Sequence, residues 1–565
     1  MDDQKPTEIE PRDCPGKDCG PRPERLDDLR VNIANLVRAA GGGGKIITLA
    51  AGGILAISGI AVAISLASCE TSSHRAAAKA APHHAPSLVH QDLPSIPKVD
   101  APAPIAGEPE MRVRILTAVE GVKIGATGGV LVGQGDPKGA IALPSGAKTE
   151  KRGGPSGVSV ALKGGQWLVC DIAAGIATLN HPTCVTYPAS SSLVITPSGG
   201  PGQFLAVNSG IYPGTIRLSA RSDLRDGAFD AVEFVGLEEY LPGVVAKEML
   251  TGWPLEAYKA QSVAARTYAL QERERSINAG IGYDVECSDR DQVYAGMTTN
   301  TPAREAVRAT RGVVLKDGER MLRAYFSSTC GGRTAAARDT WPTGPGFEYN
   351  LAGPIQEHHR DSACVASPLY RWTVERPRAE LVRRLRLFGE RNGFAVKKLN
   401  DIQAIEPLAY NSDGRPSRYR IVEPGGAWYQ LSAEELRIGC NTGASGGSMA
   451  SAKPAPSAAP LATGAPATDT SATSLLATGV LTVPNSTIAE RPPAQTLPDI
   501  TRQTRINSGD FEVSVRGDRV VFTGRGFGHG VGLCQYCAKA FAERGEGWQA
   551  MVERFYPGAR IVTLY

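Results

Sequence analysis

A chain of 565 residues with a formal net charge of +4 is too weakly basic to be organised around nucleic acid, and it lacks the aromatic and basic interleaving of single-strand binders. A hydrophobic fraction of 42% and a charged fraction of 21% are those of a globular protein, while 64 glycines and 40 prolines announce long linkers. Eleven cysteines cannot all pair within one chain, and their scatter excludes a small disulfide scaffold.

Residues 1–45 are polar and mixed in charge and are expected to be a disordered cytoplasmic tail. Cys14 and Cys19, in CPGKDC, have no second Cys/His pair nearby and read as thiols rather than half a metal site. Ile46 to Ser68 is an uncharged apolar run long enough for one transmembrane helix. Arg30, Arg38 and Lys45 precede it, which favours a cytoplasmic N-terminus and an extracytoplasmic remainder. Leu66-Ala67-Ser68-Cys69 also resembles a bacterial lipoprotein cleavage box, so an acyl anchor on Cys69 is the alternative to the single-pass helix. Residues 69–110 are Ala/Pro/His-rich and read as a linker. Extended at about 3.1 Å per residue, it reaches on the order of 100 Å. Its His83, His84 and His90 read as solvated side chains rather than metal ligands.

Residues 111–234 change character. Short β-type runs (Val113–Leu116, Gly129–Val132, Val158–Leu162, Gln166–Cys170, Ser192–Thr196, Phe204–Val207, Thr215–Ser219) alternate with Gly, Pro and Asn. Cys170 and Cys184 are close enough in sequence to pair in an oxidising compartment.

Next comes LEEYLPGVVAKEMLTGWPLEAYKAQSVAARTYALQERER, Leu237 to Arg275. It reads as a short helix ending near Glu248-Met249, a Trp253-Pro254 break and a longer helix. Pro254 suits a first helical position, and the residues after it are good helix formers. Ala257, Ala260 and Ala264 make a small-residue stripe, and Lys259, Ser262 and Arg266 a polar face.

This stretch closely resembles the signature of the SpoIID/LytB family of bacterial cell-wall proteins: an LEEYLPGVV segment, an acidic-Met pair, Trp-Pro, then a KAQSVAARTYAL helix, in the same order and spacing. VNSGIYPGTIRL (Val207–Leu218) resembles the family's β-rich N-terminal half. DQVYAG (Asp291–Gly296) resembles its Gln-Val-Tyr-x-Gly turn. Some members hold zinc near that turn. Here Cys287 stands without a nearby histidine, so no zinc is expected at this position.

Thr301 to Val314 is a helical pattern, and Met321–Phe326 a strand delivering SSTCGGRT. Its paired glycines make a turn with exposed backbone N–H groups. A serine hydrolase would centre its nucleophile as G-x-S-x-G, a pattern that this segment lacks. Ser367–Leu385 matches the next family block, and Leu399 to Cys440 reads as a small β segment with a turn at Ser412-Asp413-Gly414. Residues 443–505 are low-complexity Ala/Pro/Ser/Thr and read as an insertion looping out of one domain, since closure cost grows only logarithmically with length. The last part, 506–565, carries GRGFGHGVGLCQYC, the family's second hallmark, with a helix from Leu533 to Arg544. Cys330, Cys364, Cys534 and Cys537 all lie in motif blocks. In an extracytoplasmic setting disulfides are favoured over a four-cysteine metal site, which is the alternative.

The resemblance implies an α+β fold, its catalytic domain running over 235–442 and 506–565 behind a transmembrane helix. It also implies lytic cleavage of peptidoglycan between N-acetylmuramic acid and N-acetylglucosamine, leaving 1,6-anhydro ends on strands stripped of stem peptides. Ordinary glycosidases use two carboxylates; when the sugar's own 6-hydroxyl is the nucleophile, one carboxyl of raised pKa suffices. Glu248 falls on the family's catalytic position. Gln261, Arg266, Tyr268, Gln292, Tyr294, Ser328, Gly331, Gly332, His529 and Gln535 are expected to bind glycan, with no cofactor and no metal. Arg266 as a structural ion pair and Tyr268 as core are the alternatives. The expected partners are glycan strands, the cytoplasmic membrane through 46–68 and other cell-wall hydrolases. The rival function is a non-catalytic wall-binding modifier of an amidase.

Overall fold

The structure, a computed structural model, describes residues 93–95, 106–135, 150–153, 157–172, 183–199, 203–221, 223–224, 227–288, 291–359, 361–443 and 497–565. The tail over 1–45 with Cys14 and Cys19, the membrane span over 46–68, Cys69 and the linker histidines lie outside the described residues. So do 444–496 of the low-complexity insertion. Among the described residues no helix is long and apolar enough to cross a membrane.

The first part is β-rich, as its alternating sequence predicts. Strands β1 (Glu110–Val119), β2 (Gly121–Gly125), β3 (Val130–Gly135), β4 (Glu150–Arg152), β5 (Val158–Lys163), β6 (Gln166–Asp171), β7 (Cys184–Pro188), β8 (Ser192–Pro197), β9 (Leu205–Val207), β10 (Gly210–Tyr212), β11 (Thr215–Ala220) and β12 (Phe229–Gly236) follow one another. All seven predicted runs fall on strands. The runs missed are chiefly those too short or too continuously buried to alternate, β12 above all, buried at seven of its eight positions. One sheet has the order β10-β9-β2-β5-β6-β7. The other runs β1-β12-β11-β8-β3-β4, with β13 (Val285–Glu286) added parallel beside β1. Cys170 and Cys184 face each other across β6 and β7 and are disulfide-bonded.

Beneath lie two helices, α1 (Leu237–Glu248) and α2 (Leu255–Asn278). In α1, Leu237, Tyr240, Leu241, Val244 and Val245 form an apolar stripe at i, i+3, i+4, i+7 and i+8, which drives it onto the core. Pro254 stands one place earlier than predicted, capping α2 rather than opening it. Buried residues lie on every side of α2, because it is packed against α1, α3 (Thr301–Ala309), β14 (Val313–Asp317) and the C-terminal helices. β14 begins where the sequence pattern prolongs α3.

A second, smaller core is built by two three-stranded sheets and two helices. The chain runs through β15 (Arg320–Met321), β16 (Phe326–Ser327) and the short α4 (Ala337–Thr340), then β17 (Arg371–Pro377), α5 (Arg378–Asn392), β18 (Ala404–Tyr410), β19 (Pro416–Val422), β20 (Trp428–Ser432) and α6 (Ala433–Asn441). After the insertion come β21 (Phe511–Arg516), β22 (Arg519–Arg525), β23 (Leu533–Cys534), α7 (Gln535–Glu543), α8 (Trp548–Phe555) and β24 (Arg560–Thr563). β17 pairs along its whole length with β22, so strands from before and after the insertion share one sheet.

Arg266 belongs to this framework, not to a cleft. It is wholly buried, with Nε and Nη2 each 2.8 Å from a carboxylate oxygen of Glu238. Its remaining N–H groups reach Thr310 Oγ1 and the carbonyls of Val307 and Val313. The expectation of a glycan contact is corrected here: a cation so enclosed by acceptors has nothing left to offer a sugar. Arg266→Met strands the Glu238 carboxylate and is expected to cost about 3–5 kcal/mol of unfolding free energy. The exposed Arg308→Met is expected to stay within about 0.5 kcal/mol of the parent. Urea midpoints of the two variants check both.

Candidate active site

Glu248 is the last residue of α1, after which Met249 is extended and the chain turns through Trp253. The helix tip leaves Glu248 partly exposed, yet protein encloses its carboxyl. Oε2 accepts a hydrogen bond from Gln535 Nε2 at 3.1 Å, and the Val293 backbone N–H also donates to the carboxyl. Burial is the dominant influence and raises its pKa to about 7; the two hydrogen bonds oppose it and lose. Neither partner is charged, so nothing beside the group locks it ionised. It is an acid poised to hold and release a proton near neutrality.

Two motif segments touch this carboxyl, and a third braces one of them. The first is 291–296. Gln292, expected at the glycan, is instead a buried strut: its Oε1 accepts from the Tyr240 hydroxyl and its Nε2 donates to the Ala265 carbonyl, both at 3.2 Å. Tying α1 to α2 in this way sets Val293 where its N–H meets Glu248. Tyr294 is also buried, its ring 4.7 Å from that of Tyr240 and its hydroxyl directed at Glu233. Gly243 of α1 permits this packing, since a Cβ there would lie 2.3 Å from the Gly296 carbonyl oxygen.

The second and third turns are bound to each other. β16 and β23 pair in parallel, Phe326 opposite Leu533 and Ser327 opposite Cys534. Thr329 and Phe527 exchange backbone hydrogen bonds of 3.1 and 2.8 Å. Gly331, at φ 71°, approaches Gly526 so closely that a Cβ would meet its nitrogen at 2.7 Å. Ser328 contributes its carbonyl, which accepts the Tyr536 N–H at 3.1 Å and fixes the start of α7. Tyr536 then meets Trp253 edge to face, ring centroids 4.9 Å apart. Trp253 follows Glu248 by five residues and Tyr536 follows Gln535, so the two segments that meet at the carboxyl also bring an aromatic pair together, the kind of surface on which a small-molecule site is built. Ser328 and Gly332 remain partly exposed in their turn.

His529 holds a different place from the one expected. Its Nδ1 accepts the Val531 N–H at 3.0 Å, and the Phe326 backbone bonds its other face. Burial lowers its pKa to about 4, so the imidazole is neutral with the proton on Nε2. It packs against Trp341 and lines a pocket with Arg415, Asp339 and Glu434. The side chain reaching Glu248 is Gln535, six residues on. Tyr268 accepts from Arg323 and packs beside Tyr325 and Phe326, within the core. Gln261 is fully buried on α2, and neither atom of its amide has a hydrogen-bond partner among the described residues.

One feature was missed in the sequence. Arg415, buried just past the Ser412-Asp413-Gly414 turn, donates to the carbonyls of Cys330, Arg333 and His529, each at 3.2 Å, and so clamps the second turn to the third. Asp413 supports it by accepting from the Thr334 N–H at 2.6 Å. The disulfides favoured for Cys330, Cys364, Cys534 and Cys537 are not formed: all four remain thiols, and the Sγ atoms of Cys330 and Cys364 stand 3.6 Å apart with the other two beside them.

Residues 225–316 match the family model described as Stage II sporulation protein. The chain is 26% identical over 345 residues to the Amidase enhancer of Bacillus subtilis, covering 57% of this chain but only 40% of that protein. It is 26% identical over 348 residues to Stage II sporulation protein D of Bacillus subtilis, covering 59% of this chain and 76% of that one. An uncharacterised protein of Brachyspira hyodysenteriae is 24% identical over 332 residues, 59% of this chain and 68% of its own length.

Gln535 stabilises the charged form of Glu248, so Gln535→Leu is expected to drive the carboxyl pKa further above 7, by up to about one pH unit if the hydrogen bond is of ordinary strength. Carboxyl-carbon NMR of the labelled glutamate, followed against pH, checks the direction.

Proposed function

This chain belongs to the SpoIID/LytB family, and from that premise we propose that it is a peptidoglycan lytic transglycosylase that works with Glu248 alone. Anchorage in the cytoplasmic membrane through 46–68, with the folded part on the cell-wall side, belongs to the same proposal. The observation that carries it is the raised pKa of a carboxyl at a helix tip, met among the described residues by an amide and a backbone N–H, both neutral.

The chemistry follows from what one such group can do. In the protonated form that a pKa of about 7 keeps substantially populated at neutral pH, Glu248 donates its proton to the glycosidic oxygen as the bond from C1 of the muramic sugar breaks and positive charge develops at C1 and the ring oxygen. The carboxylate left behind then accepts the proton of that sugar's 6-hydroxyl while its oxygen bonds to C1. The proton balance closes, no water is consumed, and a 1,6-anhydro ring remains. A second carboxylate to activate water has no part in this sequence. Gln535 keeps a hydrogen bond on the carboxylate during the interval when it is charged, and the neutral amide does so without holding it permanently ionised.

The second reading, a wall-binding enhancer of a separate amidase, is favoured by the name of one relative, the Amidase enhancer, of which this chain spans less than half. Muropeptide mass spectrometry on purified sacculi separates the two. The wild type is expected to release anhydro-ended fragments, and Glu248→Gln to lose that release by about 10³-fold or more while still binding sacculi. A wild type that binds but releases none supports the enhancer. The release rate is further expected to fall as pH rises through about 7, because the working form is the protonated acid.

A further inference from the structure

Four cysteines from three separate places in the chain meet beside the motif turns. Cys330 lies in the turn after β16, Cys364 opens a 3-10 turn, and Cys534 and Cys537 bracket the first turn of α7. All four are buried, none more than 1% exposed, and their Sγ atoms all lie within 4.8 Å of one another. Cys330 Sγ is 3.6 Å from that of Cys364 and 3.9 Å from that of Cys537.

A zinc ion bound by four thiolates at about 2.3 Å spaces its tetrahedrally arranged sulfurs by about 3.8 Å. The separations of 3.6 and 3.9 Å from Cys330 match that edge, and the remaining sulfurs, all within 4.8 Å, need close in by no more than about 1 Å. A disulfide would draw two sulfurs to about 2.05 Å. Iron–sulfur clusters carry their cysteines on different irons and so spread the sulfurs further apart. The surroundings also suit bound thiolates. The Cys330 N–H donates to Cys534 Sγ at 3.3 Å, and the Ser362 hydroxyl lies 3.4 Å from Cys364 Sγ and 3.7 Å from Cys330 Sγ. Such donors to sulfur are how a protein offsets the negative charge of a tetrathiolate site.

We propose that Cys330, Cys364, Cys534 and Cys537 form a closed, mononuclear zinc site of structural kind. Its position gives it a further consequence. Gln535 sits between two of the ligands, and Ser328 and Gly331 flank a third. The metal therefore fastens the turn after β16 to the start of α7, and with it the amide that meets Glu248. No ligand position is left open for substrate, so the ion takes no chemical step.

The test is metal analysis of the full chain, purified without chelators, together with thiol counting and the spectrum of the cobalt-substituted protein. One zinc per chain is expected, with these four thiols protected from alkylation until a strong chelator is added. Cobalt in the site is expected to show intense thiolate-to-metal charge transfer and tetrahedral ligand-field bands. Cys537→Ser is expected to lose the zinc, while Cys440→Ser, a buried cysteine of the other core, keeps it. The wild-type measurements stand even if Cys537→Ser fails to fold. Metal-free protein in which these cysteines are found as disulfides, or alkylate without chelator, overturns the proposal. Metal content is read apart from any action on glycan, so its failure and that of the transglycosylase reading are distinguishable.

Discussion

The site depends on a parallel pairing only two residues long, β16 against β23. Parallel strands cannot be joined by a tight turn, and here some two hundred residues separate the partners. So short a ladder is not self-supporting, and its neighbours show how it is held. Gly532 lies where a Cβ would come within 2.1 Å of the Tyr325 carbonyl oxygen, Gly331 fits against Gly526, and Arg415 gathers three carbonyls from the two segments. Glycine is required at Gly331 and Gly532 for close approach as well as for positive φ. Once the two segments are joined, Tyr536 bonds Ser328 and Gln535 reaches Glu248 without further adjustment.

A raised pKa does not by itself single out Glu248. Burial lifts Glu233 to about 8 and Glu110 and Glu239 to about 7. Glu233 is wholly enclosed in the sheet region, facing Gly214 and Tyr294 with no route for a substrate. Glu110 and Glu239 lie near Arg273 and Arg304, whose charges pull them back toward ionisation. Glu248 differs in its company. Its two partners are neutral, its helix ends there, and two sequence motifs touch it while a third braces one of them. Environment and accessibility together, rather than titration alone, make a carboxyl useful as an acid.

The parts of this arrangement that were legible in the sequence are those governed by local rules. Strands such as β1 and β17 alternate between core and solvent, and their periodicity shows it. Glu248 and Gln535 were legible only because they sit in recognisable motifs. The role of Arg266 was not. Its neighbours Lys259 and Ser262 made an apparent polar face, but that face is partly exposed only at its Lys259 end, and Arg266 meets Glu238 and the carbonyls of Val307 and Val313 rather than water. Gln292 misleads for the same reason. A polar residue in a motif can be kept for what it holds up, and sequence does not distinguish a strut from a contact when its partner lies on another element. The four cysteines were grouped by their motifs, but spacing alone reveals one CxxC pair, and that all four stay thiols beside one another is shown only by the fold.

The low-complexity insertion interrupts this fold without disturbing it, and the described residues at its two ends show how. Arg384, buried on α5, donates to the Thr442 carbonyl on one side at 2.8 Å and to the Pro498 carbonyl on the other at 2.6 Å. Asn441 is bound to Ile506 in both directions, its side-chain oxygen accepting the Ile506 N–H and its amide donating to the Ile506 carbonyl. Arg376 adds a bond to the Thr504 carbonyl. These contacts close the neck with groups that belong to the smaller core. Because loop-closure entropy rises only with the logarithm of length, a neck fixed in this way tolerates a long or a short insertion at nearly the same cost. β21 and β22 can therefore return to β17 in register, and the chain that follows β22 brings Gln535 to Glu248 whatever the inserted segment does.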